Sequence, residues 1–296
     1  MTSYFAGLLA LWTASGAILG AVAVPKLSDL MLHRAYSRSY SWWMQSYGEL
    51  QEYQRLHPDK LPSPSDAGGD GSIGIWLADA LAAARGGVLA RERAQLLADA
   101  GLDVDPSLAK RSENDQVVRC SFRPSVLQRV GLGLGGAVAF GILPVSGMPL
   151  QLTVPLEGCV IAMLCGITCD LRARMIPLES CAVLAVFGFV FQLLRGGLPA
   201  LGSGVVAAAG VLVVCWIARR IFRQNARSVG GGDMRCMVAL SLATGPGALT
   251  GALACYVAAS VFSIVGLASR RLGRRDGIAM APFLALWLVF GGMVTV

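Results

Sequence analysis

Long runs of apolar residues constrain this chain more than any other feature. Residues 1–24 contain no Asp, Glu, Lys or Arg, and residues 130–169 contain only Glu157. A helix needs about 20 predominantly apolar residues to cross the hydrocarbon core of a bilayer. Charged residues make up 15% of the chain, against about 25% in soluble domains. The sequence therefore predicts an all-α polytopic membrane protein.

The apolar windows predict about eight transmembrane helices in three regions. Residues 1–24 form the first transmembrane helix, residues 25–129 a cytoplasmic loop or domain with a helical pair, and residues 130–296 a seven-helix membrane domain. The predicted spans cover residues 4–24, 130–148, 151–169, 178–194, 199–218, 234–246, 248–268 and 278–296. The chain has 36 glycines, which favour close packing between membrane helices.

The distribution of basic residues predicts the orientation. With eight spans and the N-terminus outside, the inside segments are 25–129, 170–177, 219–235 and 269–277. Every Lys and Arg of the chain except Arg195 falls in these four segments, as the positive-inside rule requires. The net charge of +7 is therefore interpreted as a consequence of topology and not of nucleic-acid binding. Because no basic residue precedes the first span, we expect an uncleaved anchor and not a signal peptide.

Cysteine and histidine do not predict a metal site. Most of the eight cysteines fall inside apolar windows, and no C-x-x-C pair occurs. The two histidines, His33 and His57, lie in the polar loop without a second ligand nearby. Buried cysteines of this kind are interpreted as packing residues.

Two aspartates stand out among the few acidic residues outside the loop. Asp170 ends one predicted span and begins the segment Asp-Leu-Arg-Ala-Arg-Met-Ile-Pro, which closes at Pro177; Asp233 follows three glycines at residues 230–232. The predicted topology places both carboxyl groups at the cytoplasmic face. If helix packing brings them together, they share one proton. One can then activate water while the other polarises a peptide carbonyl, as in aspartyl proteases.

Each motif also has a purely structural interpretation. An Asp after a glycine-rich segment at a helix start is a common N-cap arrangement. Asp-Leu-Arg at the end of a span can form an interfacial ion pair. The glycines before Asp233, in contrast, leave room for a peptide backbone to approach.

Together these motifs resemble those of the bacterial type IV prepilin peptidases, the Gly-x-Gly-Asp membrane aspartyl proteases. The first motif runs from Asp170 to Pro177 and the second from Gly230 to Arg235. Residues 282–286, Pro-Phe-Leu-Ala-Leu, look like the final span of the family. A first span followed by a long cytoplasmic loop is similar to the full-length architecture.

The resemblance implies an enzyme of the bacterial inner membrane that serves type IV pilus or type II secretion systems. It would remove the basic leader from prepilins or pseudopilins at the cytoplasmic face, with the lipid bilayer as its surroundings and no nucleic-acid partner. The implied catalytic pair is Asp170 and Asp233. The implied supporting residues are Gly230, Gly232, Arg235, Arg172 and Pro177.

The sequence departs from the family in its first loop. Full-length relatives commonly carry two C-x-x-C pairs there, whereas residues 25–119 contain no cysteine. A structural zinc is therefore not expected. The peptidase reaction needs no cofactor, and S-adenosylmethionine would be required only if the N-methyltransferase activity of the family is retained.

Two other functions are compatible with the sequence alone. A small transporter or proton-relay protein would use Glu157, Asp170 and Asp233 along a membrane path. A non-catalytic component of a pilus or secretion assembly would use the aspartates structurally.

Overall fold

A computed structural model describes residues 2–58, 60–63, 71–85, 89–107, 125–145, 148–221, 231–270 and 278–295. Across these residues the chain is all-helical and has no strand. The α-helices are α1 (Thr2–Ile18), α2 (Val24–Leu56), α3 (Gly71–Arg85), α4 (Arg91–Asp99), α5 (Val126–Val145), α6 (Leu150–Ala173), α7 (Leu178–Ile221), α8 (Gly231–Thr244), α9 (Ala248–Ala268) and α10 (Ala281–Thr295). A π-helical turn, Leu19–Ala23, precedes α2, and a 3₁₀ turn, Gly245–Gly247, precedes α9.

The chain divides into two compact units. One comprises Met1–Leu32 and Phe122–Val296, and the other comprises His33–Ser121. Helix α2 contributes residues to both. The predicted first span was expected to end at residue 24, but helical structure continues to Leu56. The π-helical turn lies just before Pro25, because the proline ring would clash with the preceding turn of a regular α-helix. Few helix-breaking residues occur after Pro25, so the helix continues.

The unit His33–Ser121 has a small aromatic core. Trp43 is buried, stacks on Tyr47 with ring centroids 5.6 Å apart, and meets Trp76 edge-on at 5.5 Å. The hydroxyl of Tyr47 donates a hydrogen bond to the carbonyl of Leu96 at 2.9 Å. These contacts tie α2 to α3 and α4, so the aromatic residues at the end of α2 pack a core.

Four stretches of the described chain are long and apolar enough to cross a membrane. They are Leu9–Leu56, Leu150–Ala173, Leu178–Ala218 and Gly231–Ala268, and the shorter apolar helices are Val126–Ile142 and Ala281–Gly292. A span needs about 20 residues. The stretches Leu178–Ala218 and Gly231–Ala268 have 41 and 38 residues and are each long enough for two passages.

Helix α7 reverses direction within its length. Gly196 and Gly197 leave the helical conformation, and Gly197 has φ 62° and ψ −149°, a region that only glycine occupies readily. Gly188, before the break, packs against Ala243, and Gly204, after it, packs against Leu242. Since both arms meet the same turn of α8, the two arms form a helical hairpin.

Close glycine contacts hold the other neighbouring helices together. Gly16 of α1 meets Gly136 of α5, and Gly20 meets Leu132. Gly247 meets Gly291 of α10. A side chain at any of these positions would collide with backbone atoms, so the glycines set the helix separation as the sequence predicts. Gly133, whose added Cβ would lie 3.4 Å from the carbonyl oxygen of Ala17, belongs to the same interface between α1 and α5.

Candidate active site

Asp170 lies near the end of α6, at a point where the helix is terminated by its own sequence. Arg174 adopts the left-handed conformation with φ 52°, and its amide closes the last turn on the carbonyl of Asp170. The segment then leads through Ile176 to Pro177 before α7 begins. Only 4% of Asp170 is exposed, so its carboxyl group is held in a buried setting and not on a solvated helix end.

The carboxyl group of Asp170 binds the first residues of α10. Its Oδ2 accepts a hydrogen bond from the amide of Ala281 at 2.8 Å, and the amide of Met280 also donates to the carboxyl group. The first amides of a helix have no partner within the helix, and the helix dipole favours an anion there. Pro282, the next residue, has no amide hydrogen to satisfy. Asp170 therefore fixes the start of α10 against the end of α6.

Asp233 lies in the first turn of α8 and is half-buried. The preceding residue, Gly232, packs directly on the first motif: a Cβ atom added to it would lie 3.0 Å from the carbonyl oxygen of Ile176 and 3.2 Å from its Cβ. The thiol of Cys181, in the first turns of α7, lies 3.9 Å from the carbonyl oxygen of Gly232. The two motifs, separated by more than 50 residues in sequence, thus touch in the structure.

A cleft of about 500 Å³ opens beside Asp233. Its walls come from α8, α9 and the residues at the start of α10. The lining residues are Asp233, Met237, Tyr256, Ala259, Ser260, Ser263, Ile264, Met280 and Leu284. Met280 lines this cleft and is also one of the two residues whose amides bind Asp170. The start of α10 therefore contacts Asp170 and also lines the cleft beside Asp233.

The predicted supporting residues have different settings. Arg172 pairs with Asp29 at 3.3 Å through both terminal nitrogens of its guanidinium group. Pro177 is fully buried, and its carbonyl accepts a hydrogen bond from the hydroxyl of Ser180 at 2.8 Å. Arg235 is exposed in the first turn of α8. Gly230 lies outside the described residues.

Several site residues were not predicted from the sequence. Tyr256 lines the cleft and donates a hydrogen bond to Sδ of Met237 at 3.1 Å. Met280 and Ala281 bind Asp170, and Asp29 binds Arg172. The only signal for Tyr256 was a tyrosine inside an apolar span. Backbone contacts such as that of Ala281 leave no side-chain signature at all.

Glu157 is not part of this arrangement. It lies 13 residues before Asp170 on α6, which at 1.5 Å per residue is about 20 Å along the helix. It is buried with 6% exposure, and its Oε1 makes no hydrogen bond within the described part of the chain. The structure therefore separates Glu157 from the two aspartates.

Comparison with known proteins identifies the region that holds both motifs. No significant match was found among curated proteins or among solved structures. A match to a family model, described as the type IV leader peptidase family, covers residues 158–295. This range contains both aspartates, the cleft and all of the helices that form it. Residues 158–295 of this chain therefore match the type IV leader peptidase family.

Proposed function

We propose that this protein is an aspartyl endopeptidase that removes the basic leader peptide from type IV prepilins or pseudopilins. Asp170 and Asp233 are the catalytic pair in this proposal. Gly230, Gly232, Arg235, Arg172 and Pro177 support the site or contact the substrate.

The observation that carries the proposal is the convergence of the two motifs. Gly232 packs on Ile176, and the start of α10 contacts both the carboxyl group of Asp170 and the cleft of Asp233. Isolated N-caps or surface ion pairs would not require two distant motifs to meet. The family match over the same residues agrees with this arrangement.

The proposed chemistry is hydrolysis by two carboxyl groups that share one proton. The ionised carboxylate takes a proton from water while the oxygen of that water attacks the peptide carbonyl carbon. The protonated carboxyl group donates its proton to the carbonyl oxygen. Collapse of the tetrahedral intermediate breaks the C–N bond, and the new amine takes up a proton. Water and the two side chains suffice, so the reaction needs no cofactor.

The proposal includes a defined orientation in the bacterial inner membrane. The passages are α1, α5, α6, the two arms of α7, α8, α9 and α10, which gives eight spans. The N-terminus is periplasmic, and both aspartates face the cytoplasm. The reversal at Gly196–Gly197 and the 3₁₀ turn at Gly245–Gly247 support the division of the stretches Leu178–Ala218 and Gly231–Ala268 into four passages.

Co-expression with a prepilin tests the proposed function. Wild-type protein should remove the leader, whereas Asp170→Asn and Asp233→Asn should each lower the rate by at least about 100-fold, the usual contribution of a general acid or base. Glu179→Gln is the matched control, because Glu179 is an acidic residue in the first turn of α7 and has no role in the proposed reaction. Leader removal is read from the shift of the prepilin on a gel, with membrane levels of each variant measured in parallel.

The outcome separates the proposed roles. Retained cleavage in either aspartate variant would remove that residue from the catalytic pair. No cleavage by the wild-type protein of any prepilin or pseudopilin expressed in the same host would overturn the proposed function. Equal loss in Glu179→Gln would indicate a general requirement for acidic residues and not a catalytic pair.

A further inference from the structure

One face of α9 forms a continuous wall of the cleft. Its lining residues are Tyr256, Ala259, Ser260, Ser263 and Ile264. The spacings of three, four, seven and eight residues put them on one side of a helix. The wall begins beside Met237 of α8, where the hydroxyl of Tyr256 meets Sδ, and runs toward the end of α9. Since α9 runs antiparallel to α8 from the turn at Gly245–Gly247, the wall passes Asp233, which lies four residues before Met237 on α8.

The opposite wall is apolar and adaptable. Met237 comes from α8, and Met280 and Leu284 come from the segment that Asp170 holds. Methionine side chains are flexible and polarizable, and they recur at surfaces that accept varied apolar partners. Small residues on α9, namely Ala259, Ser260 and Ser263, leave the space between the two walls. The cleft thus combines the carboxyl group of Asp233 with a compliant apolar channel.

The length of the α9 wall limits how many residues of an occupant it can contact. From residue 256 to residue 264, eight residues of helix rise about 12 Å. An extended chain rises about 3.3 Å per residue, so about four extended residues match the length of the wall. Extension also frees the backbone carbonyl that a protease must attack.

We propose that the cleft between α8, α9 and α10 binds the apolar segment of the substrate next to the scissile bond as an extended chain of about four residues, with the small residues of α9 setting the size of side chain admitted. This inference rests on the proposed peptidase function. It assigns specificity to Ala259, Ser260 and Ser263, which belong to neither of the two sequence motifs. Ile264 forms the far end of the wall.

Site-specific photo-crosslinking tests the location of the substrate. A benzophenone amino acid is placed at Ile264 in full-length protein carrying Asp233→Asn, so that bound prepilin is not consumed. The matched control carries the probe at Val265, which has similar exposure, 59% against 65% for Ile264, but does not line the cleft. Position 264 should give at least about ten-fold more adduct with prepilin than position 265, because neighbouring helical residues point about 100° apart.

A second measurement addresses the size of the admitted side chains. Ser263→Leu narrows the channel. For a prepilin with bulky residues next to the cleavage site, the rate of leader removal should fall by at least about ten-fold, because the peptide bond is then misplaced relative to the catalytic groups. Cleavage of a substrate with alanines at those positions should fall much less. Val265→Leu should leave both substrates unaffected, since that position is outside the cleft.

The outcomes distinguish this proposal from the proposed function. Cleavage by the wild-type protein, combined with equal or absent adducts at positions 264 and 265, would overturn the assignment of the cleft while leaving the peptidase function intact. Equal losses for both substrates in Ser263→Leu would overturn the role in specificity. A lack of cleavage by the wild-type protein, with a strong adduct only at position 264, would overturn the peptidase function and support the binding site.

Discussion

At the scale of single residues, the candidate site depends on which atoms fill the space between the two motifs. Gly232 contacts Ile176 so closely that a methyl group would press on its carbonyl oxygen at 3.0 Å and its Cβ at 3.2 Å. Gly231, its neighbour in the same helix, has nothing within 4 Å of an added Cβ. The two glycines are neighbours in the first turn of the same helix, but only Gly232 lies at a contact.

This difference makes a prediction about Gly232→Ala. The added methyl group should displace the first turn of α8, and with it Asp233, and lower the rate of leader removal by at least about ten-fold, since small misplacements of catalytic groups are costly. Gly231→Ala should keep the rate and gain up to about 1 kcal/mol of stability from better helix propensity. Initial rates and thermal unfolding midpoints in detergent measure both effects. Equal rates in the two variants would contradict a tight Gly232–Ile176 contact.

A second residue-scale prediction concerns the ion pair of Arg172 and Asp29. The pair is 3.3 Å long, and 11% of the Arg172 side chain is exposed against 35% of the Asp29 side chain. Partly exposed pairs contribute modestly, about 1 kcal/mol or less. Arg172→Ala and Asp29→Ala should each lower the free energy of unfolding, and the double variant should lose less than the sum of the two. A double-mutant cycle on unfolding free energies measures this coupling, and strict additivity would mean that the pair contributes nothing.

Some features of the candidate site can be predicted from the sequence, and others cannot. The sequence singles out Asp170 and Asp233 because acidic residues are rare in apolar chains and each stands in a distinctive local sequence, and their catalytic role stays a prediction. The family match over residues 158–295 confirms that resemblance. The contacts of Ala281 and Met280 could not be predicted, because a backbone amide donates hydrogen bonds whatever its side chain. Tyr256 could not be singled out, because its place beside the cleft depends on how α9 packs on α8.

At the scale of secondary-structure elements, the breaks within long helices determine the fold. Hydropathy predicted separate spans at 178–194 and 199–218, and the structure has a single stretch, Leu178–Ile221, that reverses at Gly196 and Gly197. The all-helical class is confirmed, whereas the count of eight spans stays a prediction. Element boundaries differ because hydropathy reports where polar residues interrupt an apolar run. At this reversal Arg195 directly precedes the two glycines and interrupts the apolar run between the predicted spans.

The reversal in α7 predicts a specific cost for Gly197→Ala. At φ 62° and ψ −149° an alanine is strained, and the usual penalty is about 1–3 kcal/mol. The variant should unfold at a lower temperature than wild type, because both arms of α7 must keep their contacts with α8. Gly202→Ala is the control, since no atom lies within 4 Å of an added Cβ there and its helical backbone suits alanine. A thermal unfolding midpoint for Gly197→Ala equal to that of wild type would show that the reversal does not need glycine.

At the scale of the whole molecule, charge and hydropathy together predict the orientation of the chain in the membrane. The basic residues Arg172, Arg174 and Arg235 flank the two aspartates, and Arg270 follows the end of α9. All four belong to the segments that the positive-inside rule assigns to the cytoplasm. The orientation is therefore linked to the proposed function, because a leader peptide on the cytoplasmic side can reach the aspartates only if their face of the membrane is inside.

Reporter insertions into the full-length chain test this orientation. Alkaline phosphatase, which is active only outside the cytoplasm, should be active after residue 148, between α5 and α6, and inactive after residue 272, between α9 and α10. A fluorescent protein that matures only in the cytoplasm should give the reverse pattern. The physical reason is the cost of translocating short, strongly basic segments such as 269–277, which contains four arginines, compared with the uncharged connection near residue 148.

The proposed topology requires an odd number of membrane passages between α5 and α10. If both reporters placed residues 148 and 272 on the same side of the membrane, the number of passages would be even and this topology would be wrong. A fully inverted pattern would place the aspartates outside, where a cytoplasmic leader could not reach them, and the proposed reaction would fail with the topology.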